Sequence, residues 1–174
     1  MQSKRASDLM IPLSEYPHMP YWFTLRQAMA TLRSSQIEVD GKASLPRAFL
    51  VFNEAYELLG MVRRRDILRG LEPEFLKSKG RYDPRKLFEV KAGSDLMELS
   101  NDKVVSRIKE RAERPVGEIM QPIKVTLQHD DPLMKVTAEM IGNNLSMIPV
   151  LEDGSVVGVV RSVDVLDEVS KLVL

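Results

Sequence analysis

Two stretches of this chain repeat one another in the same order, and an internal duplication restricts the fold more than any single motif does. Ala6-Ser7-Asp8-Leu9-Met10-Ile11-Pro12 parallels Val116-Gly117-Glu118-Ile119-Met120-Gln121-Pro122. Further along, Leu59-Gly60-Met61-Val62-Arg63-Arg64-Arg65-Asp66-Ile67-Leu68 parallels Val157-Gly158-Val159-Val160-Arg161-Ser162-Val163-Asp164-Val165-Leu166, with Gly, Arg, Asp and Leu in matching places. The duplication divides the chain into a first repeat at 1–72, a partly helical insertion at 73–114 and a second repeat at 115–174. The first copy carries extra residues around 34–46, which read as a loop.

The second copy is the plainer of the two. Asp130 or Asp131 can cap a helix with Pro132 in its first turn and Gly142 at its stop, and Leu133, Val136, Met140 and Ile141 share one face. Residues 147–151 and 156–160 are apolar and β-prone, and Asp153-Gly154 between them is a two-residue hairpin signal. Ser162 can cap a final helix in which Leu166, Val169 and Val173 recur at helical spacing. In the first copy Thr24 caps a helix carrying Leu25, Ala28, Met29 and Leu32, followed by strands at 49–52 and 58–62 and a closing helix over 66–71. Between the copies the chain is charge-rich, with turn signals at Pro73, Gly80, Pro84 and Gly93, and then a helix with Val104, Val105, Ile108 and Ala112 on one side.

Composition removes several classes of function. Cys is absent and only His18 and His129 supply imidazole, so disulfides, thiolate nucleophiles and the usual Cys/His zinc sites are excluded together. Both histidines read as loop or surface residues. Lys plus Arg and Asp plus Glu each number 25, which leaves no overall field for nucleic acid. No run approaches the roughly 18 apolar residues of a membrane span, and the first residues lack an apolar signal region, so a cytoplasmic location is expected. Neither a P-loop, a dinucleotide glycine fingerprint nor a nucleophile elbow is present, and catalysis is not expected. Tyr21-Trp22-Phe23 reads as core, as do Met10, Met29, Met120, Met140 and Met147.

The acidic-hydrophobic-Met openings Asp8-Leu9-Met10 and Glu118-Ile119-Met120, the strand Ile148-Pro149-Val150, and a Gly-hydrophobic-x-Thr/Ser-x-x-Asp pattern before each last helix resemble the CBS domain family. The resemblance implies an α/β (α+β) fold of two β-α-β-β-α repeats packed as a pseudo-two-fold pair. It also implies a cleft that binds an adenosine-containing ligand: AMP, ADP, ATP or S-adenosylmethionine. In that family the Asp accepts hydrogen bonds from ribose hydroxyls, a role suited to an acceptor-only carboxylate, and it falls to Asp66 and Asp164. The chain departs from the pattern at the Thr/Ser position, where it has Arg63 and Arg161, although Ser162 follows one place later. An arginine there either forks onto phosphate oxygens or pairs with the nearby Asp and fills the pocket. Ile148, Pro149, Ile123 and Met10 complete the candidate ligand site. No catalytic cofactor or metal is implied, and the adenine nucleotide is an effector.

Two functions follow. One is a regulatory homodimer that senses the nucleotide and signals to a protein partner. The other is a ligand-independent, partner-binding dimer whose pocket Arg63 and Arg161 block.

Overall fold

A computed structural model describes residues 4–73 and 101–174. The turn signals at Gly80, Pro84 and Gly93 lie outside the described residues. The helices among those residues are α1 (Ala6–Leu9), α2 (Leu25–Ser34), α3 (Arg64–Leu71), α4 (Asn101–Arg111), α5 (Leu133–Gly142) and α6 (Ser162–Val173). The strands are β1 (Ile11–Pro12), β2 (His18–Pro20), β3 (Ile37–Val39), β4 (Lys42–Ser44), β5 (Ala48–Phe52), β6 (Leu58–Arg63), β7 (Leu127–Gln128), β8 (Met147–Glu152) and β9 (Ser155–Arg161).

Each half runs strand, helix, strand, strand, helix, the first with β3 and β4 inserted after its helix. In the first, β2 lies parallel to β5 with α2 as the crossover, β5 turns back antiparallel into β6, and α3 follows. In the second, β7, α5, β8, β9 and α6 repeat that path. The resulting sheets have the orders β2-β5-β6 and β1-β9-β8-β7.

Strand alternation then sorts the side chains into three cores. Phe49 and Val51 point under α2 and α3 with Leu25, Ala28 and Ile67. Ile148, Val150 and Val160 point under α5 and α6 with Leu133, Val136 and Val165. The opposite faces meet: Ala48, Leu50 and Phe52 of one sheet share a cluster with Ile11, Met147 and Val159 of the other. The two sheets are therefore layered face to face between two helix pairs, which explains why every residue of β5 is buried.

The opening segments cross between halves. Ile11 and Pro12 of β1 pair with Val159 and Gly158 of β9, and Gln121 exchanges both backbone hydrogen bonds with Met61 of β6. This accounts for the repeated glycine. A Cβ on Gly158 would lie 2.5 Å from the Ile11 carbonyl oxygen, and one on Gly60 would lie 2.5 Å from that of Gln121.

Several expectations need correction. Residues 34–46 contain a hairpin, β3–β4, turned by Asp40-Gly41 with φ of 51° and 74°, matching Asp153-Gly154 at 50° and 80°. On α6 the packed face is Val165 and Val169, while Leu166 and Val173 are exposed, as is Ile141 on α5. Helix α5 starts after Pro132, and buried Asp131 instead accepts hydrogen bonds from the Gln128 amide and Lys135. Ser162 is the first residue of α6 and Arg161 the cap position. Thr24 caps α2 as expected, in a reciprocal pair with Gln27. Tyr21 and Trp22 are exposed, and only Phe23 packs on the core. His18 sits in β2, bonded to the Tyr16 carbonyl and the Tyr56 hydroxyl. All five of the named methionines are packed in, or against, a core cluster.

Candidate functional site

The matched Arg and Asp of each copy come together at the start of a helix. At α3, Arg63 forks onto Asp66, with Nε 2.9 Å from Oδ2 and Nη2 3.1 Å from Oδ1. The Arg63 amide also donates to Oδ2 at 2.9 Å, and Gln121 Nε2 donates to Oδ1 at 3.3 Å. Arg69 stands 3.9 Å away. The Asp66 side chain is 1% exposed, whereas that of Arg63 is 48% exposed. At α6, Arg161 forks onto Asp164 through Nε and Nη2, both at 2.7 Å, and its Nη1 donates to Ser44 Oγ at 2.8 Å. Both of these side chains are only 13% exposed. Tyr16 packs nearby, donating to the Ala48 carbonyl at 2.9 Å; burial pushes its phenol well above the ordinary value, against the opposing charge of Arg161.

Beside Asp66 lies a cavity of about 250 Å³, lined by Arg69, Gly70, Arg111, Arg114, Glu118, Ile119, Met120 and Gln121. The C-terminal end of α4 brings Arg111 against α3, where its Nε donates to the Gly70 carbonyl at 2.9 Å. Arg114 pairs with Glu118. The cavity is thus walled by three arginines against two carboxylates, a chemistry that suits an anion carrying several oxygens.

Burial alone would push the Asp66 carboxyl up, but the Arg63 fork and amide, with Arg69 beyond, outweigh it and hold the group below its ordinary value. Such a carboxylate stabilises the folded chain above its unfolded pKa of about 3.9, and the contribution is lost as pH falls through the lower folded value. Asp66→Asn is expected to cost about 1–2 kcal/mol at neutral pH, allowing for solvent at the half-exposed Arg63. Urea unfolding at neutral pH and again near pH 3 checks this, the gap from wild type closing in acid.

The other candidates are dispersed. Ile148 is fully buried under α5 and α6, and Pro149 is buried opposite Val159 in the β8–β9 ladder. Met10 packs against the same core as Ile148, with its sulfur near Gly158. Ile123 is half-buried. Ser162 donates its amide to the Ser146 carbonyl. Sequence reasoning missed Ser44, Gln121, Arg69, Arg111 and Arg114. Of these, Ser44 had a legible signal in the Asp40-Gly41 turn that places its strand, and Arg69 had one in its place a turn after Asp66 on the expected closing helix.

Two sheets face to face, each with a β-α-β-β-α path and a closing Arg-Asp pair, define a two-repeat α+β fold. Residues 116–171 match the profile of the CBS domain, so the second repeat is a CBS domain. Among solved structures it is similar to a CBS domain-containing protein of unknown function from Kribbella flavida (TM-score 0.68, 14% identity, 96% of this chain and 98% of that one). It is similar also to CBSX2 in complex with AMP (0.61, 14% identity, 98% of each chain). A third similar structure is the cytosolic domain of the Mg2+ channel MgtE in complex with ATP (0.60, 22% identity, 94% of this chain), of which the chain spans about half, 48%. At these identities the likeness is one of fold. No curated protein sequence matches the chain. No described helix is long and apolar enough to cross a membrane.

Proposed function

We propose that the chain is a non-catalytic regulatory module of the cytoplasm, whose repeats 1–72 and 115–174 bind an adenine nucleotide and report its level to a protein partner. The observation that carries this reading is the cavity beside Asp66: a carboxylate for ribose hydroxyls at one side and Arg69, Arg111 and Arg114 for phosphates at the other. Half-exposed Arg63 acts as a gate, leaving Asp66 for a phosphate when the ligand enters. AMP and ATP in the similar folds of CBSX2 and MgtE support the choice of nucleotide. A thermal-shift panel of AMP, ADP, ATP, S-adenosylmethionine and NAD tests it. One ligand is expected to raise the melting temperature saturably, and Asp66→Ala to abolish the rise. No shift at millimolar concentration with any of them refutes the reading.

A second reading, the ligand-independent dimer, draws on a different observation. Met134 and Ile141 on α5 and Val163 and Leu166 on α6 are exposed, Leu166 at 69%, and the two helices pack side by side. An apolar surface of this kind suits a second copy of the chain. Leu166→Glu is expected to convert a dimer to a monomer in sedimentation velocity. A monomeric wild type removes this part of the proposal.

A further inference from the structure

We infer that the chain takes a single phosphate-bearing ligand, at the Asp66 side alone, because its own β3–β4 hairpin closes the Asp164 side. The inference rests on the nucleotide reading above and adds how many ligands bind, and where.

The duplication permits a position-by-position comparison of the two sides. Arg63 corresponds to Arg161 and Asp66 to Asp164; one turn later Arg69 corresponds to Asp167 and Gly70 to Glu168. Where the Asp66 side has a cation and a glycine packed against Leu25 and Ile119, the Asp164 side has two carboxylates that pair with Lys171 and offer a phosphate no donor of their own. Gln121, which bonds Asp66, corresponds to Ile11, which has no polar side-chain group.

Geometry separates the sides as well. The second copy passes from α5 to β8 with only residues 143–146 between them, whereas the first inserts β3–β4 at the matching place. Ile37 of that hairpin is 2% exposed, in one cluster with Tyr16, Met147 and Val159 between the sheets. Ser44 takes a hydrogen bond from Arg161, and Lys42 stands 4.0 Å from Asp167. Each of the three guanidinium nitrogens of Arg161 is thereby engaged, two on Asp164 and one on Ser44. The outcome is visible in exposure: 13% for Arg161 under the hairpin against 48% for Arg63, which no hairpin covers among the described residues.

Two measurements on the full chain test this. Equilibrium dialysis with ADP and with ATP is expected to give one nucleotide per chain, with affinity at least tenfold weaker in Arg69→Glu and unchanged in Asp167→Ala. Two nucleotides per chain, or loss in Asp167→Ala with none in Arg69→Glu, overturns the inference. Closure is read without any nucleotide. The chain has no cysteine, so Met147→Cys, opposite Arg161 in the β8–β9 ladder, introduces a single thiol. Maleimide should label it at least 100-fold more slowly than Ser155→Cys. The rate should rise at least tenfold when residues 36–45 are replaced by Gly-Ser-Gly, with the fold checked by circular dichroism. Where that replacement does not fold, Ile37→Ser, which loosens the hairpin at full length, is read in the same way. Fast labelling of the parent, or no acceleration in the loosened chain, overturns closure. Absence of all nucleotide binding overturns the functional reading and the single-ligand claim together, while the labelling still decides closure.

Discussion

Gly158→Ala is expected to destabilise the chain by about 3 kcal/mol and to lower its melting temperature by about 6–12 °C. The new Cβ would stand 2.5 Å from the Ile11 carbonyl oxygen and 3.0 Å from the Met10 sulfur. The nearer atom is backbone, so the overlap is relieved only by moving β1 off the edge of β9 or by bending β9 itself. Either response disturbs a face of the second sheet that Met147 and Val159 bury against the first. Gly142→Ala is the control: a Cβ there meets nothing within 4 Å, and the change should stay within about 0.5 kcal/mol. Calorimetry of the two variants checks the contrast, and equal stability would mean that β1 is not held against β9.

Arg161→Ala is expected to cost about 3–4 kcal/mol, because it leaves Asp164 enclosed with its bidentate partner gone. Ser44 loses its donor at the same time. Replacing both members of the pair, Arg161→Met with Asp164→Leu, should recover most of the loss, since what is costly is a stranded charge more than an absent bond. A double-mutant cycle by urea unfolding measures the coupling, expected at about 2 kcal/mol or more. At the other copy Arg63→Ala should cost less, about 1 kcal/mol, because Asp66 keeps the residue-63 amide, Gln121 and Arg69, and water reaches the half-exposed Arg63 side of that pair. Equal costs at the two sites would contradict the difference in enclosure.

Much of the architecture was legible because it is local. The Asp153-Gly154 turn, flanked by β-prone apolar runs, announces β8 and β9, and Thr24 marks the start of α2. The same Asp-Gly turn at 40–41 passed for a loop because its strands are short and largely polar, with little periodicity to read. Which face of α6 packs was misjudged for a related reason: Leu166 and Val173 fit helical spacing as well as Val165 and Val169 do, and only contact with the sheet separates them. Of the two partners open to Arg63 and Arg161, phosphate or neighbouring carboxylate, both guanidinium groups fork onto the carboxylate. Arg111 and Arg114 could not be placed at this cavity from sequence, since they reach it through packing of α4 on α3.

The exchange of opening segments ties the two halves into one unit of unfolding. If the first half melts, β9 loses β1 and exposes a row of unpaired amides and carbonyls; if the second melts, β6 loses its bond to Gln121. Neither half therefore retains a complete sheet edge without the other. A chain with two copies of one path thus has one shared stability in place of two independent ones, and a weakness at either end is felt by the whole molecule.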